Sequence, residues 1–295
     1  MPTLIVITGP TGSGKSALAM EVATALGCHI ISADSRQIYR HIPIGTAAPT
    51  PEDMARVPHH FVQTLELDQY YSAARFEEDV TALLPELWKD NDCAVMCGGS
   101  MMYVDAVTNG IDALPLISPE VRRQAYSMLE NDGIEAVRER LRELDPEYFA
   151  QVDLQNHKRV VHALEICLES GVPYSSLRTG SKSERPFRIL KFALDMPREE
   201  LFGRINYRVD RMIAAGLEAE ARSVYHLKHL NALNTVGYKE MFAIFDGVMD
   251  RPTAIARMAK NTRVYAKKQL TWLRRDPEVV WLDPAAAFPG IMSRL

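Results

Sequence analysis

Residues Gly9, Pro10, Thr11, Gly12, Ser13, Gly14, Lys15 and Ser16 form a complete G-x-x-x-x-G-K-[ST] loop. It stands between an apolar run, Leu4 to Ile7, and a helical pattern from Ala17 to Leu26. Strand, glycine loop and helix in that order predict an α/β chain with a parallel sheet of the P-loop nucleoside triphosphate hydrolase type. Glycines let successive backbone N–H groups turn inward, and the helix start adds partial positive charge. Lys15 contributes a point cation and Ser16 a ligand for Mg²⁺, the one cofactor the loop implies.

The loop specifies the group held, not the bond broken. A second short apolar segment, Cys28 to Ser32, ends in the polar cluster Ala33 to Tyr39. Ligands of open parallel sheets lie at such carboxyl ends. Asp34 is therefore a candidate general base, with a cap of the following turn as the alternative. A third apolar strand, Cys93 to Cys97, ends in Gly98-Gly99-Ser100 and not in the Walker-B carboxylate of nucleotide hydrolases. That ending argues against a motor or switch enzyme and for a small P-loop transferase. The glycine pair permits close approach of a ligand or backbone, and Ser100 can offer its hydroxyl to the pocket.

With 295 residues, 47% of them apolar and 24% charged, the chain has ample core for one large domain or two smaller ones. No apolar stretch is long enough to span a bilayer, and the start runs directly into the first strand, so a cytoplasmic, monomeric protein without membrane contact is expected. Cys28, Cys93, Cys97 and Cys167 lack metal spacing and are read as reduced core residues. After Gly110 the pattern turns helical, beginning with the cap-like Ser118-Pro119-Glu120 and continuing through 121–130, 134–144 and 156–169. Residues 114–185 are thus expected to form an inserted helical domain, and 1–113 with 186–295 a discontinuous catalytic core. Strands are expected again at Phe187 to Leu194 and Val279 to Leu282.

The net charge of −4 carries no global nucleic-acid signature. Two local stretches do: Arg257 to Arg275 holds seven cations and no acid, and Arg178 to Lys191 holds five cations against Glu184. Either is compatible with a solvated surface; together they favour a polyanionic partner. Arg204, Arg208 and Arg211 cluster on one helix, either as a clamp for diphosphate oxygens or as partners of Glu199, Glu200 and Asp210.

Further strings run through the chain: Ser32 to Tyr39, Ile44-Gly45-Thr46-Ala47 with Pro49, Pro58-His59-His60, Gly98 to Tyr103, Asn156 with Arg159, Val236 to Glu240, and Thr262-Arg263 followed by Tyr265 to Trp272. On these strings the chain resembles the tRNA dimethylallyltransferases, or tRNA isopentenyltransferases, over nearly its whole length. The resemblance implies transfer of a dimethylallyl group from dimethylallyl diphosphate to the N6 amine of the adenosine 3′ of the anticodon, in tRNAs reading codons that begin with U. The loop would then hold the prenyl donor instead of ATP. Asp34, Ser100 and Arg208 would be catalytic. Contacts to tRNA would fall on Asp34, Ser35, Arg36, Gln37, Ser100, Arg122, Lys158, Arg159, Val160, Val161, His162, Gly237, Tyr238 and Lys239. Departures from the family pattern are Ser100 in place of threonine, Gly12 and Ser16 in the loop, and His162 where arginine is common. The competing classes are a small-molecule P-loop kinase, a tRNA-binding module without catalysis, and a prenyltransferase acting on free nucleotides.

Overall fold

The structure is a computed structural model that describes residues 1–112, 114–180 and 183–295. Ala113, at the expected domain edge, and Lys182, in the second basic stretch, lie outside the described residues. The chain divides into two compact units, residues 1–109 with 185–295, and residues 110–184. The expected edges shift for local reasons. Gly110, at φ +84°, follows the helix Met101–Asn109, and the Arg185 guanidinium donates to Glu77 at 2.7 Å and to the Ala106 carbonyl at 2.8 Å, anchoring that residue in the first unit.

In the first unit the strands are β1 (Thr3–Thr8), β2 (Ile30–Ser32), β3 (His59–His60), β4 (Cys93–Cys97), β5 (Arg188–Leu194) and β6 (Val279–Leu282). They form one sheet in the order β3-β2-β4-β1-β5-β6, with parallel pairing throughout. The strand read as third from the sequence is thus fourth in the chain, because β3 is too short to leave a periodic signal. Leu4 and Val6 of β1 pack with Ile31, Met96 and Phe76 on one face, while Ile5 and Ile7 pack with Leu18, Val22 and Phe192 on the other. Burial on both faces explains the uninterrupted apolar run at 4–7.

Helix α1 (Lys15–Leu26) follows β1; α2 (Pro43–Thr46) and α3 (Pro51–Arg56) lead to β3; α4 (Ala73–Leu87) precedes β4; α5 (Met101–Asn109) follows it. Among its described residues the second unit holds α6 (Pro119–Asn131), α7 (Gly133–Leu144), α8 (Pro146–Gln151), α9 (His157–Ser170) and α10 (Tyr174–Leu177). After β5 come α11 (Arg198–Ala214), α12 (Leu217–Ser223), α13 (Tyr238–Phe245) and α14 (Arg251–Leu273), and after β6 the short α15 (Ala287–Met292). Met212, Leu217, Leu233, Tyr238, Met241 and Met258 from this helical part enclose the segment Ile38 to Ile42 that follows β2. The carboxyl end of the sheet is thereby roofed by helices.

The second unit has its own core of Ala125, Val137, Leu141, Tyr148, Val160, Val161, Leu164 and Cys167. Ser118 begins α6 as its sequence suggested, its Oγ accepting from the Val121 N–H, with Pro119 in the first turn. Asp145 is fully buried and accepts from the Tyr148 N–H, the Ser175 N–H and the Ser175 hydroxyl. A buried carboxylate with that many donors fixes the turn between α7 and α8 to the start of α10.

Candidate active site

The phosphate loop turns from β1 into α1 through Gly14, whose φ of +96° only glycine adopts without strain. Its Ser13 N–H donates to the Pro10 carbonyl at 3.2 Å, and Lys15 Nζ donates to the same oxygen at 3.3 Å. Burial lowers the Lys15 pKa, Arg208 adds to that, and Cys97 and Asp34 oppose it. A cation held at this cost is ready for an anionic ligand.

The loop borders a cavity of about 340 Å³ lined by Lys15, Ser16, Ala19, Met20, Ile30, Ala47, Ala48, His59 and Cys97. Beyond it lies a second cavity of about 640 Å³, lined by Ser35, Arg36, Ser100, Asn234, Thr235, Val236, Lys239, Asn261 and Lys268. Thr11, Asp34, Arg208 and Tyr265 line both. A donor with its phosphates on the loop and an acceptor in the larger cavity would therefore meet beside one carboxylate and one guanidinium.

Asp34 makes the cap that its sequence position allowed and also lines both cavities. Its Oδ1 accepts from the Arg36 N–H at 2.9 Å and the Gln37 N–H at 3.3 Å, a cap that fixes the carboxylate at the throat. Arg208 is half-buried; burial lowers its pKa and Asp34 works against that. Of the other arginines of α11, Arg204 pairs with Glu200 at 3.7 Å while its guanidinium also lies beside Gly14 of the phosphate loop, and Arg211 is exposed; of the three, Arg208 lines the cavities.

The glycine pair after β4 admits backbone, as its sequence suggested. A Cβ on Gly98 would sit 2.1 Å from the Ala33 carbonyl oxygen. That contact brings Ser100 to the Asp34 turn, where its Oγ accepts from the Ser35 N–H at 2.8 Å. Cys97, expected to be plain core, instead lines the phosphate cavity beside Lys15 and Ser16, and burial pushes its thiol up to about 11. It is a neutral wall, not a nucleophile.

The IPP transferase family profile matches residues 37–276. This chain belongs to the IPP transferase family. Among its relatives, tRNA dimethylallyltransferase 2 of Parabacteroides distasonis is 53% identical over 284 residues, spanning 96% of this chain and 95% of that protein. The corresponding protein of Porphyromonas gingivalis is 54% identical over the same spans. The full-length tRNA isopentenylpyrophosphate transferase of Bacillus halodurans superposes with a TM-score of 0.73 at 32% identity, covering 100% of this chain and 95% of that one. A eukaryotic dimethylallyltransferase acting on tRNA superposes with a TM-score of 0.83 at 25% identity, covering 96% of this chain and 74% of that one. Membership of the IPP transferase family does not favour the kinase reading.

Within that family reading, the residues assigned to tRNA from the sequence separate by burial. In the first unit Asp34, Ser35, Arg36, Ser100 and Lys239 line the larger cavity. Gln37 lines the smaller one, its amide donating to the Thr46 and Ala47 carbonyls and accepting from Ser32. Tyr238 is fully buried, its hydroxyl donating to the Ile42 carbonyl and Glu220, so it is a core residue and not a surface contact. Gly237, at φ +101°, starts α13 with its N–H donating to Glu240. In the second unit Lys158, Arg159 and His162 are exposed along α9, while Val160 and Val161 point into the core. A contiguous string on a helix cannot present every residue outward. Arg122 and His162 both approach the buried Glu165, each at 3.5 Å.

Two site residues carried no role in the sequence reading, although both lie in the string Tyr265 to Trp272. Tyr265 donates to the Gly99 carbonyl at 3.3 Å, and its enclosed hydroxyl, with Asp34 near, is pushed up to about 12. Gln269 is buried and bridges the phosphate loop to Gly99.

Proposed function

We propose that the protein transfers a dimethylallyl group from dimethylallyl diphosphate to the N6 amine of the adenosine 3′ of the anticodon, in tRNAs reading codons that begin with U. The observation that carries this reading is the shared throat: a phosphate-holding cavity and a larger acceptor cavity meet at Asp34 and Arg208, and no carboxylate follows β4. The prenyl donor lays its diphosphate on the loop amides and Lys15, with its chain against Ala19, Met20 and Ile30. The target adenine leaves its stack to enter the larger cavity.

The N6 lone pair, delocalised into the ring, is a weak nucleophile, so holding it in line with C1 of the donor is the main contribution of the throat. As the N6–C1 bond forms, the C1–O bond breaks. The N6 proton passes to Asp34, and the diphosphate departs against Lys15 and Arg208, which offset its growing charge. Ser16 is exposed, lines the phosphate cavity and offers a hydroxyl beside Lys15. Those surroundings fit Mg²⁺ taking one protein oxygen, with phosphates and water completing its shell; the ion would screen the leaving group's charge. Lys158, Arg159 and the exposed cations of α14 would hold tRNA phosphates. We expect the protein to act as a monomer in the cytoplasm, where its tRNA substrate would be.

The test is purified protein with Mg²⁺, radiolabelled dimethylallyl diphosphate, and either unmodified tRNA or AMP, followed by nucleoside analysis. Label on tRNA adenosine alone is the expected result. Label on AMP assigns the free-nucleotide branch instead, and no label on either acceptor removes prenyl transfer.

A further inference from the structure

Gln269 stands on α14, far in sequence from both substrate-facing loops, yet it touches each. Its Oε1 accepts from the Thr11 N–H at 2.8 Å and its Nε2 donates to the Gly99 carbonyl at 2.8 Å. Gln269 is 2% exposed, and its bond to Gly99 is buried while that to Thr11 is part-buried at the cavity wall. Contact is tight enough that a Cβ on Gly99 would lie 2.3 Å from Nε2. Thr11 belongs to the phosphate loop and lines both cavities; Gly99 lines the phosphate cavity with Gln269 and immediately precedes Ser100, which lines the larger one.

The glutamine amide meets both demands at once. Glutamate lacks the donor, lysine lacks the acceptor, leucine lacks both, and asparagine is one methylene too short. We infer that Gln269 is a positioning residue for group transfer: its amide ties the phosphate loop at Thr11 to the turn at Gly99 that leads into Ser100 of the acceptor cavity, and so sets how the two reacting centres stand to each other. The inference rests on the prenyl-transfer reading for the identity of those centres. The tie itself is independent of it. Without the amide the Thr11 N–H loses its partner and the Gly99 carbonyl keeps only the longer bond from Tyr265, so loop and turn lose this side-chain tie.

The test uses the full chain with Gln269→Leu and the isosteric Gln269→Glu. Three quantities are read for each: affinity for inorganic diphosphate with Mg²⁺, kcat and KM for prenyl transfer to tRNA, and melting temperature. With leucine, diphosphate affinity should fall about tenfold, the scale of one lost buried hydrogen bond. The value of kcat should fall by a further factor of about ten through misplacement, with KM for tRNA within twofold of wild type. With glutamate the defect should be at least as large near neutral pH, where a carboxylate faces the Gly99 carbonyl. Its activity relative to wild type should rise as pH falls, because a protonated glutamate regains the donor. A merely structural glutamine would lower the melting temperature while leaving diphosphate affinity unchanged and the variant-to-wild-type ratio flat with pH, and that pattern overturns the proposal. Should the leucine variant not fold, the glutamate variant and its pH rescue decide alone. Diphosphate affinity needs no turnover, so absence of prenyl transfer in the wild type would count against the proposed reaction and not against the tie.

Discussion

Ser100 Oγ accepts a hydrogen bond from the Ser35 N–H at 2.8 Å and donates to Ser35 Oγ at 3.2 Å. The hydroxyl expected to face substrate thus also holds the turn that carries Asp34. Ser100→Ala should lower kcat about tenfold, the effect of one lost hydrogen bond on the geometry of the base. Ser100→Thr, which keeps the hydroxyl, should stay within about threefold of wild type on the same grounds. Steady-state kinetics with both variants checks this, and a Ser100→Ala enzyme of full activity would show that the Asp34 turn needs no support.

Asp34 caps its own turn and faces the throat, and the two roles can be separated. Asp34→Asn keeps an oxygen to accept from the Arg36 and Gln37 N–H groups but cannot take a proton. The variant should retain its melting temperature while kcat falls by about a hundredfold or more. Comparable losses of stability and turnover would instead reduce Asp34 to a cap.

Lys15 gives the site a pH dependence with a definite sign. Its pKa is lowered in the free protein, chiefly by burial, and an anion on the loop favours its charged form. Diphosphate affinity should therefore weaken as pH rises through that lowered pKa, and binding above it should take up a proton. Calorimetry in buffers of different ionisation enthalpy measures the uptake. Lys15→Met should abolish it.

Tyr238 sits in the string Val236 to Glu240 that suggested tRNA contact, yet its ring is enclosed and its hydroxyl ends on the Ile42 carbonyl and on Glu220. The same Glu220 carboxylate accepts from the Ile44 and Gly45 N–H groups at 2.8 Å, so Tyr238 helps anchor α2. Tyr238→Phe should cost about 1 kcal/mol of stability, the net worth of one hydrogen bond, because the Ile42 carbonyl keeps its Thr46 donors and Glu220 keeps the Ile44 and Gly45 N–H groups. Affinity for tRNA should not change. Chemical denaturation and filter binding distinguish the two effects.

The sequence made the phosphate loop, the Asp34 turn and the glycine ending of β4 legible because each is a local string whose chemistry needs only its neighbours. Arg208 emerged from helical spacing, but the spacing could not say which of the three arginines would line the cavities. The bridge of Gln269 to Thr11 spans 258 positions, and no periodicity marks such a contact. The edge strand β3, at His59–His60, was invisible for want of length. Where whole strings were assigned to tRNA, the helix period was the missing argument, since it turns Val160 and Val161 inward while leaving their neighbours out.

That division along α9 makes an opposed pair of expectations. Lys158 and Arg159 are exposed cations on the helical unit, so Lys158→Ala and Arg159→Ala should each weaken tRNA binding roughly threefold to tenfold and reduce the slope of log affinity against log salt by about one. Val161 belongs to the core of the same unit, at 3% exposure. Val161→Ala should leave affinity and salt slope unchanged and lower stability by about 2 kcal/mol through lost burial and the cavity left behind. Salt titrations of tRNA binding, run beside thermal melts of all three variants, test both halves at once. A Val161→Ala variant that melts like wild type but loses tRNA affinity would restore that position to the interface.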